Sequence, residues 1–218
     1  MGMPHARAAR DQTRSEELAN SLSHGAALVA AVIATPFLII HATNHGDIGY
    51  LVGASVFAAA TILLYLTSAI YHALRPGRLK HIFRIVEHAA IFLMIAGTYT
   101  PFTLGILRRD VGWTLFCVIW GLAVLGVVLK IISGASHTLA FTALYVLMGW
   151  MILIAAKPFY DRLPASGLFW LLAGGLAYTI GVAFFTTDSR LRYGHFIWHL
   201  FVMAGTGCHY FAVLWYAA

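Results

Sequence analysis

Seven long apolar runs dominate this chain, and each exceeds the roughly 18 residues that a helix needs to cross about 30 Å of hydrocarbon at about 1.5 Å per residue. They lie near residues 22–41, 48–74, 82–106, 111–132, 137–156, 165–186 and 194–216. Composition agrees with a lipid solvent: of 218 residues 61% are hydrophobic and only 10% charged, against about 25% charged in soluble domains. Backbone polar groups in hydrocarbon must be paired within the protein. No segment has the alternating pattern of a barrel strand. The expected fold is therefore all-α, an integral membrane bundle of seven transmembrane helices.

The connections are short, among them ATNHGD, RPGRLKHIFR, LRRD, SGAS and TTDSRLRYG. No low-complexity tract, linker or repeat divides the chain. Residues 1–21 read as a cytoplasmic N-terminal tail and 22–218 as one seven-span domain. The first twenty residues are too polar and acidic for a cleavable signal peptide, so the first span is expected to direct insertion. Ala6 stands where a myristoylation signal has Ser or Thr.

Lysine and arginine placement sets the expected orientation. With the N-terminus cytoplasmic, the inner segments hold ten basic residues (Arg7, Arg10, Arg14, Arg75, Arg78, Lys80, Arg84, Lys130, Arg190, Arg192) and the outer ones four (Arg108, Arg109, Lys157, Arg162). An odd number of spans then puts the C-terminus outside, in a multi-pass cell (plasma/inner) membrane protein. The net charge of +6 suits anionic lipid headgroups. No basic stripe interleaved with aromatics points to nucleic acid. Cys117 and Cys208 fall inside apolar spans and are expected to be small core residues, not a disulfide.

Ionisable residues in such spans are functional candidates by default. The stretch RYGHFIWHLF puts His195 and His199 four apart, on one helical face, where the seventh span begins. The second span ends in SAIYHAL, with Ser68 and His72 on one face, and the third opens with RIVEHAA. Of the eight acids, Asp11, Glu16, Glu17, Asp47, Asp110, Asp161 and Asp188 fall in tails or loops by this reading, which leaves Glu87 alone in a span. In the expected topology Ser68, His72, Glu87, His195 and His199 share one depth.

A catalytic zinc takes three protein nitrogens or oxygens and keeps one position for water. His195 and His199 supply two nitrogens, and His72 is the chosen third. The HExxH motif carries its base beside the first histidine, but Phe196 stands there, so Glu87 is the available base. Each residue has a plainer reading. HxxxH can be packing, His72 a boundary histidine bonded to a loop, Glu87 a partner of Arg84, and Ser68 a small residue for close helix contact. Haem is a further alternative, with His72 and His199 on opposite faces.

Other histidines are assigned lesser roles: His88 faces away from Glu87, and His24 with Asn20 flanks the first span. His209, about 15 Å beyond His199 along the helix, is expected to be a buried hydrogen-bonded residue. His5, His41, His45, His81 and His137 look like tail or loop residues. Pro101 is expected to kink the third span. Gly97, Gly121, Gly126, Gly174, Gly175 and Gly205 are expected to admit close helix contact.

EELANSLSHG, SAIYHAL, EHAAIFLMIAGTYTPF and HFIWHLFVMAGTGCHYFAV together resemble the hemolysin III family, the bacterial branch of the adiponectin and progestin receptor membrane proteins. The resemblance runs from about residue 16 to 214. It implies seven helices, an inside N-terminus, and a Zn2+ ion near the inner face held by His72, His195 and His199. Glu87 matches the acid that in the receptors holds the water at the zinc, although the family usually has Asp there. Ser68 matches the family's serine and is expected to steady the water or a substrate carbonyl. Ceramidase-type relatives imply hydrolysis of a lipid amide or ester, with membrane lipids as substrate or ligand. Two other functions stand beside this one: a non-enzymatic membrane regulator or receptor with structural zinc, and a hemolysin-type membrane-perturbing protein. No reserve amphipathic segment favours the last.

Overall fold

A computed structural model describes residues 10–218; the sequence readings for His5, Ala6 and Arg7 lie outside the described residues. The described chain is helical with no strands. The helices are α1 (Arg14–His45), α2 (Ile48–Ala73), α3 (Arg78–Leu104), α4 (Gly112–Ser133), α5 (Thr138–Gly149), α6 (Ala156–Arg162), α7 (Ala165–Thr187) and α8 (Gly194–Tyr216). A 3-10 turn, Trp150–Ala155, joins α5 to α6. These three pieces form one span, so seven helical segments are long and apolar enough to cross a membrane.

The distribution of side chains is that of a protein dissolved in lipid. Ile154 is 81% and Ile132 77% exposed, while Asn20, Ser68, Thr103 and Lys130 are fully buried. Apolar side chains lose nothing by facing acyl chains, so the bundle turns its hydrogen-bonding groups inward. Helices α7, α8, α1, α2, α3 and α4 pack in that order around the bundle, and the fifth span closes the ring lightly against α3, α4 and α7.

Helix α1 begins at Arg14, before the apolar run that starts near residue 22. Thr13 caps it, accepting from Glu16 N while the Glu16 carboxylate accepts from Thr13 N, a reciprocal capping box. Hydropathy finds where lipid begins, whereas the cap finds where the helix begins. Glu16 and Glu17 are therefore not tail residues: they lie in the first turn of α1, and Glu16 is 2% exposed.

The break in the fifth span has a specific cause. Tyr99 of α3 inserts its hydroxyl into the ladder, donating toward the carbonyls of Gly149 and Met148 at 2.7 and 3.1 Å and accepting from Ile152 N at 2.9 Å. Pro158 removes one further donor just beyond. A side chain threaded into a helix ladder is a recognised origin of such breaks. Tyr99→Phe deletes these hydrogen bonds, so it should cost about 1 kcal/mol, read as a lower Tm in detergent.

Pro101 lies inside α3, which stays helical to Leu104. It packs closely against α2: a Cβ on Gly53 would lie 2.5 Å from Pro101 Cα. Gly97, Gly126, Gly174 and Gly205 meet Ala60, Phe92, His209 and Tyr178 closely, as expected. Gly121 faces open space on the outer side of α4, and Gly175 meets only the edge of Trp150 because it borders a cavity. Both cysteines are free, but Cys117 is exposed and so faces outward instead of joining the core. Lys130, read from sequence as an inner-face charge, is wholly buried in α4 with Nζ 4.7 Å from the Phe141 ring centroid.

Candidate metal centre

The site lies at the end of the bundle where α1, α3 and α8 begin and α2 ends. Helical periodicity puts His195 and His199 on one face of α8, and their ring centroids are 4.8 Å apart. His72, in the last turn of α2, lies 5.0 Å from each of them. One ligand nitrogen from each of the three falls within 4.8 Å of the other two. His72 and His199 are 3% and 1% exposed, while His195 is half-buried.

Hydrogen-bond accounting shows which nitrogen each ring offers. His72 Nδ1 donates to Glu17 Oε2 at 2.7 Å, and His195 Nδ1 donates to Asp188 Oδ2 at 2.9 Å. His199 Nδ1 donates to the Asn20 carbonyl at 3.2 Å and to Ser23 Oγ at 3.0 Å. Carboxylates and carbonyls only accept, so each ring carries a proton on Nδ1, and the neutral tautomer with that proton has its Nε2 lone pair free for a metal. His72 Nε2 is buried and has no partner among the described residues. Three converging neutral imidazoles, each fixed by an outer oxygen, are what a transition-metal site requires. The donor set fits zinc and other divalent ions of similar softness.

Glu87, 7% exposed, stands beside this triangle with Oε1 3.7 Å from His72 Nε2. It is not one of the three mutually close ligand residues. Its Oε1 accepts the Ser68 hydroxyl proton at 2.6 Å. Because Ser68 has a single proton, that proton is not free for a substrate oxygen. No Arg84 ion pair holds Glu87 among the described residues. His88 turns aside to donate Nδ1–H to the Arg84 carbonyl at 2.7 Å. The His72 and His199 ring centroids are 5.0 Å apart, too close for an iron and a porphyrin plane to lie between the two rings.

Several members of this cluster escaped the sequence reading. Glu17 was assigned to the tail, yet it holds His72 and also accepts from Lys80 Nζ at 2.8 Å. His24 and Asn20, read as flanking residues, are 3% and 0% exposed within the site. The spacing Glu17, Asn20, His24 was an available signal, since steps of three and four share a helical face. Asp188 had no such signal, because it reaches His195 from the turn before α8. Asp188→Asn keeps the shape but weakens the bond that orients His195, so metal affinity should fall about 10–100-fold. Competition against a chelator measures this. His209 is apart from the site, with Nε2 donating to the Leu171 carbonyl at 3.2 Å.

Against known proteins, the sequence pattern of the family described as "Haemolysin-III related" matches residues 12–210, which includes every residue of the cluster. The chain belongs to this family. The haemolysin-III protein described here is 42% identical to "Hemolysin-3" of Bacillus cereus over 201 residues, covering 92% of this chain and 91% of that one. It is 39% identical to the "Hemolysin-3 homolog" of Bacillus subtilis (strain 168), covering 94% and 95%. A more distant relative is the human "Monocyte to macrophage differentiation factor", 26% identical over 207 residues, covering 91% and 83%. Family membership and the seven apolar helices make it a multi-pass cell membrane protein.

Proposed function

We propose that this haemolysin-III protein is a zinc-dependent hydrolase of a lipid amide or ester bond, with its site toward the inner leaflet. The observation that carries this reading is the protonation pattern: three histidines spend Nδ1–H on outer oxygens and turn Nε2 inward beside a buried carboxylate. The excess of Lys and Arg in segments at that end of the bundle supports the inner-face location.

A zinc ion held by His72, His195 and His199 would polarise a carbonyl and lower the pKa of water. The chain's own residues do the rest. Ser68 fixes Glu87 Oε1, the oxygen that faces His72 and keeps a second lone pair, so the oriented carboxylate takes a proton from the attacking water and returns it to the leaving nitrogen or oxygen. The water's oxygen ends on the acyl carbon and the broken bond releases an amine or alcohol. Ser68 thus acts on Glu87, not on the oxyanion.

A cavity of about 140 Å³ leads away from Glu87 and His199. Its walls are mostly apolar, including Ile91, Met94, Val182 and Trp198, and suit an acyl chain. It also touches Trp150, Gly175 and Thr179, on the lightly packed seam between the fifth span and α7, where a lipid would enter sideways. Although the Bacillus cereus relative is named for haemolysis, the seven long apolar helices here are all spans, and lysis is not part of the reading. Metal-loaded protein incubated with a panel of N-acyl and O-acyl lipids should release fatty acid from at least one. Stoichiometric metal with no release across the panel would refute the hydrolase.

A further inference from the structure

His24 is the imidazole of this cluster that the proposed chemistry leaves unused. Its Nδ1 lies 2.7 Å from Ser68 Oγ. Ser68 has one proton and gives it to Glu87 at 2.6 Å. In the bond with His24 the hydroxyl must therefore accept, which puts the ring proton on Nδ1 and a lone pair on Nε2. That Nε2 is buried and has no hydrogen-bond partner among the described residues. Buried acceptors are rarely left unpaired.

The ring cannot readily turn to find a partner. It lies flat against His199, with centroids 3.5 Å apart and planes within 4°, and Tyr65 closes on it edge-on at 5.0 Å. It also forms part of the wall of the cavity that reaches Glu87 and His199. An unpaired acceptor is thus held on a ring that stacks on a metal-ligand candidate and borders the cavity beside Glu87.

We infer that His24 Nε2 accepts a hydrogen bond from the ligand, and that the matching donor is the N–H of a secondary amide adjoining the reacting carbonyl. An ester carries no donor at that point. His24 therefore sets a preference for lipid amides over esters, an assignment that rests on the lipid-hydrolase reading of the same site. It also completes a chain from Glu87 through Ser68 to His24, so the serine that positions the carboxylate also fixes the tautomer of the specificity residue.

The test is direct binding to purified, metal-loaded protein, using an N-acyl lipid, its N-methyl derivative and the ester with the same chains. Wild type should bind the secondary amide about tenfold more tightly than either analogue. His24→Phe should abolish the difference and keep the metal. His24→Gln, with an amide oxygen within reach of the Nε2 position, should restore part of it. Equal binding of the three lipids by wild type, or an undiminished preference in His24→Phe, overturns the inference. So does loss of metal in His24→Phe, which would make His24 a fourth ligand. Binding is read without turnover. An N–H preference without hydrolysis refutes the hydrolase alone, and turnover of amide and ester with no His24-dependent preference refutes the role of His24 alone.

Discussion

Alanine at His199 should reduce the metal content of the purified protein from near one ion per chain to background. His199 is the most buried of the three histidines, at 1% exposure, and its Nδ1–H is committed to α1. Removing it leaves two nitrogens and an open side, and a two-nitrogen site holds a divalent ion far more weakly than a three-nitrogen site. The loss should exceed the roughly 10–100-fold expected for an outer partner such as Asp188. His195→Ala, on the same helical face, should behave alike, and elemental analysis after dialysis reads both. His209→Ala is the control, since His209 is partly buried on the same helix but bonded to Leu171. Metal content unchanged in both site variants would remove the metal centre, and the hydrolase with it.

The second large effect separates chemistry from scaffolding. Glu87→Gln keeps the shape and an oxygen for the Ser68 hydroxyl but removes the base, so hydrolysis should drop about 10²–10⁴-fold. Metal content should stay near that of wild type, because Glu87 stands beside the three-histidine group without belonging to it. A structural metal predicts the reverse ranking, with little effect of Glu87→Gln on whatever output the protein has and a large effect of His72→Ala. Measuring both variants for metal and for fatty-acid release decides between a hydrolase and a receptor-like regulator.

Individual residues show how far the sequence could be read. His195 and His199 were legible because an i, i+4 pair is a local fact of helical geometry. His72 and Glu87 followed once the spans were counted, since topology brings the end of one span and the start of the next to the same level. Glu17 was misplaced because hydropathy marks the lipid boundary, whereas Thr13 starts the helix two turns earlier. Ser68 was found but its bond to Glu87 was not, because a serine has one proton and only the fold shows where it goes. The fifth span was read as continuous because nothing local reveals that Tyr99, about fifty residues away, enters its ladder.

The sequence by itself determined the solvent, the number of spans and the three metal-binding candidates. Each rests on a property of single residues or of one helix: transfer to lipid, rise per residue, and the angle between side chains four apart. Only the tertiary structure decided which nitrogen each ring offers, which oxygen holds it, and that His24 lies against His199. Those outcomes depend on hydrogen bonds between groups 55 and 179 residues apart, and a donor finds its acceptor only when helices distant in sequence have packed side by side.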